Sequence, residues 1–211
     1  MDVTSRRSRK KQQTRGVIGE AAIRLFLTRG FDAVTVADIA READVAVQTV
    51  FNHFPTKEDL FFQERESYVT LPGQAVRNRR EGDSVAQALA RGYLRLLEDY
   101  DDASLLTRSI EYQRTLDASP TLRNRELELR REREDLLAAA LADEDPPLSD
   151  GLRPTLLAAF ASAVDRVLDT EVRRRLLAGE PINHITVALE PLTRELFDTA
   201  ENACRQTRSE P

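Results

Sequence analysis

Cysteine and histidine are nearly missing from this chain: one Cys, Cys204, and two His, His53 and His184, among 211 residues. A lone cysteine makes no internal disulfide, so the expected setting is the cell interior, a cytoplasmic location. The same scarcity leaves no Cys/His cluster for zinc and no Cys–His pair for nucleophilic catalysis. No GxGxxG or P-loop glycine pattern occurs, and no Glu-x-x-His motif for a di-iron site. No catalytic residue, metal or cofactor is therefore assigned, and an enzyme is not expected. No run approaches the roughly 18 apolar residues that span a bilayer, and the N-terminus is basic without an apolar signal region. No membrane partner is expected. Tryptophan is absent, and Gly (8) and Pro (9) are few beside 32% charged residues. That balance suits an all-α, salt-bridged protein.

The net charge of −5 rules against a wholly basic nucleic-acid coat protein, but the charge is uneven. Residues 1–60 carry +2 and the remainder −7. Arg6, Arg7, Arg9, Lys10, Lys11 and Arg15 fall in the first fifteen positions, against one acid, Asp2. Residues 1–13 read as a basic disordered arm that can meet phosphate while the acidic body avoids it.

What the chain does have is the stretch Thr35–Phe54, TVADIAREADVAVQTVFNHF. Val36, Ile39, Ala40 and Ala43 recur at helical spacing behind Thr35, a good N-cap, with Asp38 three residues on. Asp44 tolerates left-handed backbone angles and marks a sharp turn. A second short helix follows, with Val47, Val50, Phe51 and Phe54 as its buried side and Gln48, Thr49, Asn52 and His53 as a polar set. Pro55 stops it. Two short helices with a tight turn, the second bearing base- and phosphate-sized polar groups, describe a helix-turn-helix. Before it, Thr14–Thr28 forms an amphipathic helix through Val17, Ile18, Ala21, Ala22, Leu25 and Phe26, ended by Gly30. After it, Thr56 caps a connecting helix over residues 56–72, ended by Pro72-Gly73.

From residue 73 the pattern is helical to the end: about 84–100, 103–116, 120–142, 154–178 and 182–205, with a loop at Asp143–Gly151. Arg123–Asp135 alternates Arg and Glu, as a solvated face does. Pro191 should kink the last helix or mark its true start. The last two helices carry apolar stripes, with Val164 and Leu168 on one and Ile185, Leu189, Leu192 and Leu196 on the other. Such stripes either form internal core or pack against a symmetry mate as a four-helix bundle.

With these residues laid out, the chain resembles the tetracycline-repressor (TetR) family of bacterial transcriptional regulators. The resemblance rests on Ala21–Phe26, Arg29-Gly30-Phe31, Thr35–Ala40, Ala43, Val45, Thr49, Phe51, His53-Phe54-Pro55 and Lys57–Leu60, over roughly the first 62 residues. It implies a three-helix DNA-binding domain over 14–55, the connecting helix, and a larger helical ligand-binding and dimerisation domain over 73–211. It implies a homodimer on a double-stranded, near-palindromic operator, released by an unidentified small-molecule effector. A helical protein-interaction adaptor that kept the helix-turn-helix is the alternative, ahead of a soluble helical enzyme.

Carried over residue by residue, Thr35 approaches a phosphate, and Val47, Gln48, Thr49 and Asn52 face the bases. Gln48 and Asn52 have amide geometry for adenine, and Val47 or the Thr49 methyl suits a thymine methyl. His53 and Lys57 match phosphate-contacting positions, and Arg15 belongs to the basic arm's contact. Three residues depart from the family pattern: Asp44 for Gly, Ala46 for a capping Ser or Thr, and Phe51 for Tyr. Together they weaken backbone anchoring. Tyr68, Tyr93, Arg108, Tyr112 and Phe160 are the effector-site candidates, each combining bulk or polarity with a mid-helix position.

Overall fold

The computed structural model describes residues 3–63, 65–98, 103–143 and 152–206. They form ten helices, with no strand among the described residues: α1 (Val3–Arg29), α2 (Val36–Glu42), α3 (Val47–His53), α4 (Lys57–Phe61), α5 (Arg65–Arg77), α6 (Val85–Glu98), α7 (Ala103–Ala118), α8 (Pro120–Ala142), α9 (Leu152–Leu177) and α10 (Ile182–Gln206). The all-α expectation stands. The chain divides into two compact units, Met1–Arg65 with Thr107–Leu127, and Glu66–Leu106 with Glu128–Pro211.

The first unit closes on one small core. Ile18, Ala22, Leu25 and Phe26 of α1 meet Ile39 of α2, Val50 of α3 and Leu60 and Phe61 of α4, all buried. Aromatic rings fill its centre, with Phe26 4.9 Å from Phe31 and Phe31 edge-on to Phe61 at 6.2 Å. A module of this size buries too little apolar surface to be secure alone. The turn between α7 and α8 supplies the rest: Tyr112 stacks on Phe61 at 4.1 Å between ring centres, and Leu116 and Leu122 are buried in the same core. Ser119 donates to Asp32 at 3.1 Å, and Arg125 lies 3.7 Å from Asp59. The expected single domain over 73–211 is thus corrected, because its middle segment completes the N-terminal core.

Two further expectations change. The arm over 1–13 is not disordered where it is described: α1 runs back to Val3, since no Gly or Pro interrupts the chain before Gly16 and Arg, Lys and Gln are good helix formers. The connecting helix over 56–72 is two helices. Thr56 and Asp59 form a capping box that starts α4, and α4 ends at Phe62. Gln63 fills the break by donating to the carbonyls of Gly19 (2.7 Å) and Leu60 (3.0 Å). Pro72 does not end a helix but lies buried inside α5. Gly73 beside it sets α5 close to α8, where an added Cβ would stand 3.4 Å from the Ala140 Cβ and the Leu136 carbonyl. Close packing there outweighs the one backbone bond that proline removes.

The second unit packs α5, α6, the C-terminal part of α8, α9 and α10 around Leu89, Leu137, Leu141, Leu157, Leu168, Ile185, Leu189 and Phe197. Glu201 of α10 caps α6, accepting from the Ala86 N–H at 2.9 Å in a buried setting. Pro191 sits inside α10, which starts at Ile182; its ring is exposed, so the lost bond to the Val187 carbonyl falls on the solvent side.

Candidate nucleic-acid interface and effector cleft

Thr35 starts α2 through a reciprocal capping box. Its hydroxyl accepts from the Asp38 N–H at 3.1 Å, and the Asp38 carboxylate accepts from the Thr35 N–H at 3.0 Å. Hydrogen bonds from Thr35 hold the Asp38 carboxyl below its ordinary range, so the box is intact at neutral pH. Asp44 occupies the turn at φ 52°, the left-handed angle its position demands, and the Val45 N–H closes on Ala40 at 2.9 Å. Ala46 stands at the N-cap of α3 with no side-chain cap bond, as its residue type dictates.

A seven-residue α3 anchors through few positions. Val50 within it and Phe54 at its end are buried, whereas Val47 and Phe51 are 41% and 44% exposed. The expected buried side is therefore narrower than the apolar pattern suggested: two turns present only one edge to the core, and Phe51 falls outside it. Gln48 and Asn52 are exposed one turn apart, and the Gln48 amide donates to the Asn52 Oδ1 at 3.3 Å. Thr49 is half-buried beside them. Val47, Gln48, Phe51 and Asn52 thus share the outward surface of α3.

The flanking cations do more within the unit than the sequence indicated. The Arg15 guanidinium lies 4.0 Å over the Phe54 ring and donates to the His53 carbonyl, tying α1 to the end of α3. Lys57 is half-buried, with its ammonium 4.2 Å over Phe31, and burial lowers its pKa. His53 is half-buried as well. Burial, then Lys11 and Arg15, pull its pKa below the ordinary value. Lys10 and Lys11 are exposed on α1.

In the second unit the polar groups are inside. Arg133 of α8 pairs with Asp165 of α9 at 2.7 Å and lies 4.8 Å over the Tyr68 ring. Tyr93 of α6 donates to Asp169 at 2.9 Å. Burial, and then Asp169, push the Tyr93 phenol far above its usual range, so it remains a donor. Burial likewise raises Asp165, to about 6, against the opposing pull of Arg133. Tyr93, Arg133 and Asp165 line a cleft with Leu71, Leu89 and Phe197, whose internal space of about 10 Å³ is the scale of one water.

Of the five expected effector residues, Tyr68 and Tyr93 come together at this cluster. Tyr112 does not: it packs on Phe61 in the other unit. Phe160 is 40% exposed on the outer side of α9, and the Arg108 side chain lies outside the described residues. Sequence reasoning missed Arg133, Asp165 and Asp169. Arg133 was hidden in an alternating charge run, but Asp165, set between Ala161 and Leu168 at core spacing, was a readable signal.

The expected dimer residues need the same correction. Leu168, Ile185 and Leu189 are fully buried in their own protomer, and Val164 and Leu196 are packed against that core. Leu192 alone of the six is exposed. The apolar residues left outward on these helices are Leu156, Phe160, Val167 and Leu177 of α9 with Val187 and Leu192 of α10. On α9 they follow a strict 4-, 7- and 10-residue spacing, one row displaced from the core row.

A short helix bearing exposed amide side chains, held by a tight turn on an aromatic core and flanked by a basic helix, defines the DNA-binding helix-turn-helix class. Residues 18–63 match the model for bacterial regulatory proteins of the tetR family. The transcriptional regulator TcmR of Streptomyces glaucescens is 29% identical over 200 residues, covering 90% of this chain and 88% of that protein. LuxR of Vibrio harveyi, also a helix-turn-helix transcriptional regulator, is 48% identical over 52 residues, 25% of this chain and 23% of that one. Among solved structures, NalD of Pseudomonas aeruginosa, described as the secondary repressor of the MexAB-OprM multidrug efflux pump, shares the fold. Its TM-score is 0.54 at 24% identity, over 88% of this chain and 96% of that one. Over residues 18–63 the chain is thus similar to bacterial regulatory proteins of the tetR family, and over most of its length to a helix-turn-helix transcriptional regulator.

Proposed function

We propose that the chain is a homodimeric repressor that reads a near-palindromic operator with α3 and leaves it when a small molecule binds the second unit. The observation that carries this reading is the outward surface of α3, where Gln48 and Asn52 stand exposed one turn apart on a rigid core. Amides in that position read adenine edges bidentately. Thr35 at the start of α2, and Arg15, His53 and Lys57 around the motif, lie where backbone contacts set its register. A dimer would place two copies of α3 about 34 Å apart, in successive major grooves.

Dimerisation is assigned to the outward row on α9 and α10, from Leu156 to Val187, because those apolar residues find no cover within the protomer. The effector acts at the cleft around Tyr93, Arg133 and Asp165. A ligand that prefers a conformation with different α3 spacing shifts the population off DNA. The signal passes through α7 and α8 as well as α5, since both units draw residues from α7 and α8. As a regulator of transcription the protein works in the cytoplasm.

Selection of bound sequences from random duplex DNA tests the reading. Enrichment of two half-sites about one helical turn apart, with affinity falling steeply as salt rises, is expected. Absence of enrichment, with no salt dependence, would favour the adaptor.

A further inference from the structure

We propose that Phe51, together with Val47, reads the 5-methyl groups of thymine, so that α3 selects consecutive A·T pairs. The proposal rests on the reading of α3 as the recognition helix and adds the base pair it takes. The outward surface of α3 consists of two adjacent rows. Gln48 and Asn52, one turn apart, are polar; Val47 and Phe51, also one turn apart, are apolar. The apolar row is not needed to hold the helix. Val50 and Phe54 do that from the buried side, while Val47 and Phe51 remain 41% and 44% exposed.

The two rows match the edge of one kind of base pair. Across the major groove an A·T pair presents the adenine N7 acceptor, the N6 donor, the thymine O4 acceptor and then the thymine methyl. An amide row beside an apolar row follows the same order of chemistry. The Gln48–Asn52 hydrogen bond, 3.3 Å long, uses one amide N–H and one lone pair. Each amide therefore keeps an N–H for N7 and a lone pair for the N6 amino group, so two neighbouring adenines can be read together. A G·C pair fits worse. Cytosine carries hydrogen where thymine carries the methyl, and the two guanine acceptors are best met by Arg or Lys, neither of which occurs in α3. Phe51 stands where the family pattern has Tyr. Its ring has no hydroxyl, so covering it with a methyl leaves no polar group unpaired. The amides set the register, and the methyl contact adds affinity only where that register is held.

The test takes the duplex selected from random sequence and resynthesises one half-site with uracil in place of thymine. That change keeps every hydrogen-bonding group and removes only the methyls. Anisotropy titrations at one salt concentration compare the two duplexes with the full-length protein. Wild type should bind the uracil duplex roughly fourfold more weakly for each methyl contacted, the transfer value of one buried carbon. Phe51→Ala should reduce that penalty and Val47→Ala/Phe51→Ala should abolish it. Circular dichroism should show the helices of both variants intact, since both side chains are exposed. A uracil effect that acted through DNA shape would persist in the double variant. Equal binding of the two duplexes by wild type, a penalty that persists in the double variant, or half-sites rich in G·C overturns the proposal and leaves α3 as the recognition helix. Selection that enriches no sequence refutes that underlying reading, and the proposal with it.

Discussion

The two units arrange polar chemistry in opposite ways. In the first, an aromatic core of Phe26, Phe31, Phe54 and Phe61 is buried and the polar groups of α3 point outward. In the second, charge is inside: Arg133, Asp165 and Tyr93 are held in the cleft, while apolar residues such as Val187 and Val167 point outward. An outward polar surface on a rigid apolar base suits a partner that arrives as a polyanion and must be read. Inward charge with an outward apolar row suits a ligand that enters and a second copy that covers the surface.

The largest effect that could break this contrast concerns neighbouring residues of α10. Leu189 is 1% exposed and Val187 73% exposed. Leu189→Glu should cost about 5 kcal/mol or more, because a carboxylate enters an apolar core, and should leave little folded protein by circular dichroism. Val187→Glu should change protomer stability by only about 0.5 kcal/mol yet give monomers in sedimentation. A folded Leu189→Glu monomer, or an unchanged Val187→Glu dimer, would return the interface to the inner row.

Next in size is pH. Asp165 has a folded pKa near 6, above its unfolded value, so the folded state binds the extra proton. Its contribution to stability is therefore greatest below pH 4 and declines as pH rises to about 6. Glu171, lowered to about 2 by hydrogen bonds from Arg174 and Arg175, has the opposite sign and loses its exposed, small contribution as pH falls below 4.5. Denaturant unfolding of wild type and Asp165→Asn from pH 4 to 7 should show wild type losing ground relative to the variant as pH rises.

Smaller effects sharpen the first unit. Gly19→Ala would drive a Cβ into the Gln63 amide and disturb its two carbonyl bonds, costing about 1–2 kcal/mol in thermal unfolding. Ala46→Ser should restore the missing cap of α3 and add about 1 kcal/mol. Gain of stability without gain of DNA affinity would show that α3 is already fully formed in the free protein.

These contrasts also mark what a sequence can tell. The capping box at Thr35–Asp38, the left-handed Asp44, the uncapped Ala46 and the exposed Gln48 and Asn52 are local features, set by residue type and helical spacing, and they were legible. Tyr112 was not, because its partner Phe61 is 51 residues away and nothing local distinguishes a tyrosine that completes one core from one that lines another. The two rows on α9 and α10 failed for a related reason. Ile185 and Leu189 are as apolar as Val187 and Leu192, and only tertiary packing chooses which row faces inward. Pro72 ended a helix on paper but is buried within one, since close contact with α8 outweighs local propensity.

The central claim is that α3 reads DNA by its outward amides. Anisotropy titration of the selected duplex and a scrambled duplex, with wild type and the Gln48→Ala/Asn52→Ala double variant at one salt concentration, tests it most directly. The account predicts that the double variant binds both duplexes equally and weakly, with its helical content and oligomeric state unchanged. A double variant that still prefers the selected duplex would contradict it.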